Sequence, residues 1–254
     1  MTELSRQFTE DAFLGGKLRL RQLKSGHRAG HDAMLLAAAT SAQTGDRVAD
    51  LGAGVGAAGL ALAKRVAGIE LVLVEIDATL AEMARGNAVA NAIAADVIVL
   101  DVTSAAAEFA AAGLIADSVD VVLMNPPFND ATRHRASPDK AREMAHVATG
   151  ATLEGWIHAA RRILKSGGVL TLIWRADGLV ELLAALDRGF GSLSILPVHG
   201  DATSPAIRVL VRAIKGGKAP LQMHAALILN EAATPNPQVQ DVLAGKGVLP
   251  LALQ

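Results

Sequence analysis

Short apolar runs punctuate this chain, and longer stretches rich in alanine and leucine fill the gaps between them. The runs Arg47–Leu51, Glu70–Glu75, Asp96–Asp101, Val119–Met124 and Val169–Trp174 predict strands, and Ser192–Val198 and Ala206–Ala213 predict two more. Most are apolar at consecutive rather than alternate positions, the pattern of strands buried on both faces. Between them the spacing predicts helices at Leu60–Lys64, Thr79–Ala90, Ala105–Ala112 and Leu179–Leu186. A further helix begins near Thr152 and ends at Gly167-Gly168, which read as a C-cap. Upstream, Asp32 is placed to cap a helix through Ala33–Ala39. Leu18–Arg21 reads as strand or hairpin within an extension over residues 1–30, and residues 129–148 as a long loop. Pro235-Asn236-Pro237 marks another loop, with the last residues as a tail. Strands separated by helices require right-handed crossovers, hence an α/β fold with a mostly parallel sheet. The expected division is an N-terminal extension (1–44), a central domain (45–215) and a C-terminal segment (216–254) packed on that domain.

Composition narrows the chemistry. The chain has 254 residues, half of them apolar, so a sizeable core is assured. Without cysteine, disulfides, thiol nucleophiles and cysteine-based metal sites are excluded. The N-terminus carries early acids and no apolar core segment, unlike a signal peptide, and no run reaches the ~20 apolar residues of a membrane span. The expectation is a soluble, cytoplasmic protein. A net charge of −1 argues against indiscriminate coating of nucleic acid. Two local basic clusters stand out, Lys17, Arg19, Arg21, Lys24 and Arg28, and then Arg133, His134, Arg135, Lys140 and Arg142. They suit phosphate contacts at a few points. His27 and His31 lie four apart but have no acidic partner or third ligand nearby, so no metal is expected. No Gly-x-Ser-x-Gly elbow supports triad hydrolysis.

The candidate chemistry lies at strand ends. Asp50-Leu-Gly-Ala-Gly-Val-Gly56 follows the first strand and opens a helix, where Gly52, Gly54 and Gly56 let the backbone turn and approach a ligand. Gly54, Gly56 and Gly59 also satisfy a dinucleotide pattern, so the loop alone does not separate NAD from S-adenosylmethionine. Asp50 can receive the ammonium of an amino-acid moiety and would repel a pyrophosphate. Glu75 ends the second strand, with Ile76 next, placed to accept two ribose hydroxyls. Asp101 ends the third strand, beside Val102, and can accept from an adenine amino group. Together they favour S-adenosylmethionine, with NAD as the alternative.

Asn125-Pro126-Pro127-Phe128 follows the fourth strand directly. The prolines fix φ and supply no N–H, so the carbonyls of Asn125 and Pro126 face outward. A flat substrate can stack on Phe128 while its amino group donates to those oxygens. A turn with Phe128 merely buried is the plainer alternative.

With these residues assembled, the chain resembles the class I S-adenosylmethionine-dependent methyltransferases over roughly residues 30–213. Within them it is similar to the amino-methyltransferases carrying Asn-Pro-Pro-Tyr/Phe, the bacterial tRNA(Val) adenine-N6 family above all. The resemblance rests on Asp50–Gly56, Val74-Glu-Ile-Asp77, Asn125–Phe128 and Gly30-His-Asp-Ala-Met-Leu-Leu-Ala37. It implies a Rossmann-like, seven-stranded, mostly parallel sheet with helices on both faces and an antiparallel final strand. It further implies that a helix near Gly30, His31 and Asp32 covers the cofactor, His31 replacing the family's small hydroxyl residue. The acceptor implied is adenine N6 in RNA; the basic segments 17–28 and 133–142, with Arg133 and Arg135, are expected to hold the RNA backbone. Guanine N2 in rRNA, a glutamine amide in a protein, a binding module without turnover and an NAD dehydrogenase are the other readings.

Overall fold

The computed structural model describes residues 8–24, 28–127, 153–231 and 234–253. Phe8–Phe13 (β1) and Leu18–Leu23 (β2) form an antiparallel hairpin, followed by the helix His31–Ala39 (α1). Strands and helices then alternate: Arg47–Leu51 (β3), Ala57–Arg65 (α2), Glu70–Glu75 (β4), Ala78–Ala90 (α3), Ala95–Val99 (β5), Ala106–Ala111 (α4) and Val119–Met124 (β6). Residues 153–163 are helical (α5). Leu164–Arg175 (β7), Leu179–Leu186 (α6), Phe190–His199 (β8) and Ala206–Lys215 (β9) complete the succession. The long strands are ordered β8-β9-β7-β6-β3-β4-β5, with β9 antiparallel to both neighbours and the rest parallel. That is the seven-stranded sheet with one reversed strand that the resemblance implies. Two short strands, Gln222–Met223 (β10) and Leu227–Ile228 (β11), extend it beyond β8.

Consecutive apolar positions feed two cores. Val121 and Leu123 of β6 face the helices α1 and α2, while Val122 and Met124 face α4, α5 and α6. Leu71 and Leu73 of β4 divide from Val72 and Val74 in the same way. Strand periodicity thus directs one apolar run to two layers at once.

Several expectations change. Gly30, not Asp32, occupies the N-cap of α1, and the Asp32 carboxylate instead accepts from Arg208 at 3.0 Å. An acid in the first turn still favours the helix through the macrodipole. Gly167-Gly168 do not cap α5, which ends at residue 163. Its last carbonyls, on Arg162 and Ile163, accept instead from the N–H groups of Asp117 and Ser118, so a distant loop replaces the local cap. The expected C-terminal tail contains the helix Pro237–Leu243 (α7), with Asn236 as N-cap accepting from Gln238 N–H. Pro at the first helical position reads there as a helix start. The segment reaches α1, where Leu249 N–H donates to the Ala38 carbonyl and Leu249 and Leu251 are fully buried.

Two asparagines, Asn87 on α3 and Asn91 at its C-cap, dock the hairpin. The Asn91 amide pairs with both N–H and C=O of Arg19, and the Asn87 amide with both of Arg21. Side chains four apart on a helix are separated axially by about 6 Å. Alternate strand residues are about 6.6 Å apart. The two amides therefore stand in for a neighbouring strand along β2. Asn87 also donates to the Val55 carbonyl at 2.9 Å, which ties the hairpin to the glycine loop.

Candidate active site

The sheet register brings the functional strand ends level. Leu51 pairs with both Val74 and Met124, and Glu75 with Val99, so the segments after β3, β4, β5 and β6 converge on one edge. Gly52 and Ala53 both donate to the Val74 carbonyl, fixing the glycine loop against β4. Gly52 has a φ of 71°, and a Cβ there would fall 2.3 Å from the ring of Trp156. Only glycine allows both that backbone and the close ring approach.

A cavity of about 440 Å³ opens at this edge. Of the residues expected at a site, Asp50, Gly52, Gly54, Glu75, Ile76, Asp101, Val102, Asn125, Pro126 and Pro127 line it. Gly56 is the N-cap of α2, set back from the cavity. Gly30, His31 and Asp32 do not line it either; Ala29, Ala33 and Leu36 do so from the same segment. Phe128, Arg133 and Arg135 lie outside the described residues, as does His27. Sequence reasoning missed Trp156, an α5 ring in the cavity wall. In a chain with two tryptophans and no tyrosine, that rarity was the available signal.

Three carboxylates face different surroundings. Asp50 is 2% exposed and accepts from Gly59 N–H at 2.8 Å. Burial pushes its carboxyl up to about 7; the Gly59 hydrogen bond opposes the rise and the nearby Glu75 charge adds to it. Glu75 is buried and accepts from Gly54 N–H at 2.8 Å through one oxygen and from Asp77 N–H at 2.9 Å through the other. It clamps the glycine loop to the end of β4, and each oxygen retains a second lone pair. Asp101 is exposed and holds Thr103 through Oδ1, leaving Oδ2 without a partner among the described residues. At the opposite wall, Asn125 Oδ1 is buried and has no hydrogen-bond partner among the described residues. A buried, unsatisfied acceptor costs roughly 1–3 kcal/mol, so its retention in a cavity wall points to a donor brought by a ligand. Ile76, 62% exposed, adds an apolar wall.

The donor set suits a cofactor that joins an amino acid to a nucleoside. One end offers a buried acid, the middle a backbone cradle with Glu75, and the far end Ile76 and Asp101. A family profile for the methyltransferase small domain matches residues 25–199. The chain belongs to this family. It is an S-adenosylmethionine-dependent methyltransferase of the class I fold. The methyltransferase is 30% identical over 179 residues to the tRNA1(Val) (adenine(37)-N6)-methyltransferase of Porphyromonas gingivalis, covering 68% of each chain. A solved structure of a predicted O-methyltransferase from Agrobacterium tumefaciens matches with a TM-score of 0.71 and 36% identity, over 86% of this chain and 98% of that one. A T. thermophilus 16S rRNA N2-guanine methyltransferase, solved with AdoMet and guanosine, matches with a TM-score of 0.56 and 23% identity. That likeness covers 82% of the methyltransferase and 50% of the T. thermophilus chain, and it concerns the fold. Among the described residues no side-chain cluster could hold a metal, and no helix is long and apolar enough to cross a membrane.

Proposed function

We propose that this methyltransferase modifies an exocyclic amino group, adenine N6 in an RNA loop, most specifically of a tRNA. The observation that carries the reading is the buried Asn125 Oδ1, an acceptor in the cavity wall without a partner among the described residues. The likeness to the adenine-N6 enzyme of P. gingivalis supports adenine. S-adenosylmethionine, when bound, supplies a methyl group made electrophilic by a positively charged sulfur.

The residues of the chain do the remaining work. Asp50, Glu75 and Asp101 are assigned to the amino-acid, ribose and adenine parts of the cofactor, with Ile76 against its base. The target amine donates its two N–H groups to Asn125 Oδ1 and the Pro126 carbonyl. Both bonds draw the nitrogen out of conjugation with the ring and free its lone pair. Transfer of the methyl group from the sulfonium to this nitrogen would build positive charge on the nitrogen. Acceptors already aimed at that charge stabilise it without reorganisation. Positioning supplies the rest. The resulting ammonium loses its proton to water, so no titrating base is required. An oxygen acceptor, the chemistry named for the Agrobacterium protein, calls for a base beside the hydroxyl. The three lining carboxylates, Asp50, Glu75 and Asp101, are assigned to the cofactor instead.

An amino group inside a duplex cannot reach a recessed wall, so the base must be unpaired or flipped. The test is tritiated-methyl transfer to separated tRNA, rRNA and protein fractions, followed by nucleoside analysis. Label in N6-methyladenosine from tRNA is expected. Label in N2-methylguanosine or in glutamine would replace this acceptor with one of the other readings.

A further inference from the structure

We infer that a second cavity, on the α4–α6 side of the sheet, holds the phosphodiester backbone of the RNA acceptor. This rests on the RNA reading above. The cavity measures about 380 Å³ and shares the lining residue Val102 with the cofactor site, so the two are neighbours. It is lined by Arg161, Arg162, Arg188 and His158, with Glu154 as the one acidic lining residue. None of the three arginines forms a salt bridge among the described residues, although six of the nine other described arginines do.

Arg161 and Arg162 are held in place by groups other than carboxylates, which leaves their charge without an ion-pair partner among the described residues. Arg161 donates to the Arg188 carbonyl and to Nδ1 of His158, and lies across Gly189, where a Cβ would fall 2.8 Å from its Cδ. Because arginine only donates, His158 must accept at Nδ1 and carry its proton on Nε2. Arg162 donates to the Ser104 carbonyl and stacks 4.4 Å from the centre of the Phe109 ring, and its Nε is buried without a partner among the described residues. Ordered, unneutralised guanidinium groups match the bidentate geometry of phosphate oxygens. The basic hairpin contrasts with this. There Arg19 pairs with Glu10, Arg28 with Asp11, and Arg21 stacks on Phe8. Among the described residues, the second cavity thus places three arginines without a carboxylate partner beside the cofactor site.

The experiment compares the full chain with Arg161→Ala/Arg188→Ala and with Arg161→Lys/Arg188→Lys, using in vitro transcribed tRNA as the probe. Methyl transfer is measured at several salt concentrations. The alanine pair should raise KM for tRNA at least tenfold and make the salt dependence of binding shallower by about 0.7 for each phosphate that the arginines neutralise. KM for S-adenosylmethionine should stay within twofold, and the lysine pair should recover most of the salt slope. Should the double variant fold poorly, the exposed Arg188→Glu alone tests the same slope. An unchanged KM and slope, with tRNA still labelled by the wild type, would overturn the cavity assignment alone. Absence of any labelled RNA nucleoside from the wild type would overturn the RNA reading itself.

Discussion

Replacing Asn125 with alanine removes the acceptor that the proposed mechanism assigns to the target amine. Methyl transfer should fall by on the order of 3 kcal/mol in the barrier, a hundredfold or more, with cofactor affinity held within a few-fold. Isothermal calorimetry and single-turnover assays separate the two effects, and near-normal turnover would make the Asn-Pro-Pro turn purely structural. Asp50 makes a second prediction, through its carboxyl near pH 7. Protonated Asp50 cannot attract an ammonium, so affinity for S-adenosylmethionine should rise with pH up to about 7. It should level off until the cofactor's own amino group titrates near 8. The apo protein should show the opposite trend. Folded Asp50 keeps its proton to higher pH than unfolded Asp50, so its contribution to stability is full below about pH 4. That contribution is lost as pH rises toward 7, by on the order of 4 kcal/mol at most. Asp50→Asn should flatten both profiles, and a pH-independent affinity in the wild type would rule out the ammonium contact.

At the scale of elements, the glycine loop is a clamped structure. Its N–H groups are held by the Val74 carbonyl and Glu75, and its Val55 carbonyl by Asn87. Asn87→Ala should cost roughly 1–3 kcal/mol, since it leaves the paired groups of Arg21 and the Val55 carbonyl without their partner. Because the same amide joins hairpin to loop, cofactor affinity should drop alongside melting temperature. A stability loss with unchanged affinity would show that Asn87 serves only the hairpin. Gly59→Ala should be worse, because the new Cβ would sit 2.6 Å from Leu73 Cδ2 and 3.0 Å from Asp50 Oδ2. Circular dichroism melts and cofactor titrations of the two variants should rank them in that order.

Across the molecule, the C-terminal segment closes the α1 side of the sheet. Leu249 is fully buried there, and Leu249→Ala should cost roughly 2–5 kcal/mol, measured by denaturant unfolding. A near-zero change would mean that the segment adds little to the core. Where the segment anchors was not legible beforehand, because the backbone partner of Leu249, the Ala38 carbonyl, is remote in sequence. The hairpin shows the same limit. Its basic run looked uncompensated until β1 brought Glu10 beside Arg19, and Asp11 came within reach of Arg28.

The sequence by itself determined the strand succession, the α/β class and the acids and turn that end successive strands. Those signals are local: burial on both faces writes continuous apolar runs, and tight turns demand glycine or proline. It also placed Asp50, Glu75 and Asn125 on one edge, because a parallel sheet gathers its C-terminal ends there. Tertiary structure alone decided what each group meets. It put Trp156 against Gly52, turned Asp32 to Arg208, and ended α5 on the Asp117 and Ser118 N–H groups instead of a glycine cap. It buried Asp50 deeply enough to move its titration, and set Arg161, Arg162 and Arg188 around one cavity, Arg161 and Arg162 donating to backbone carbonyls. Each of these depends on distances between segments far apart in the chain, and no local pattern of residue types encodes such distances.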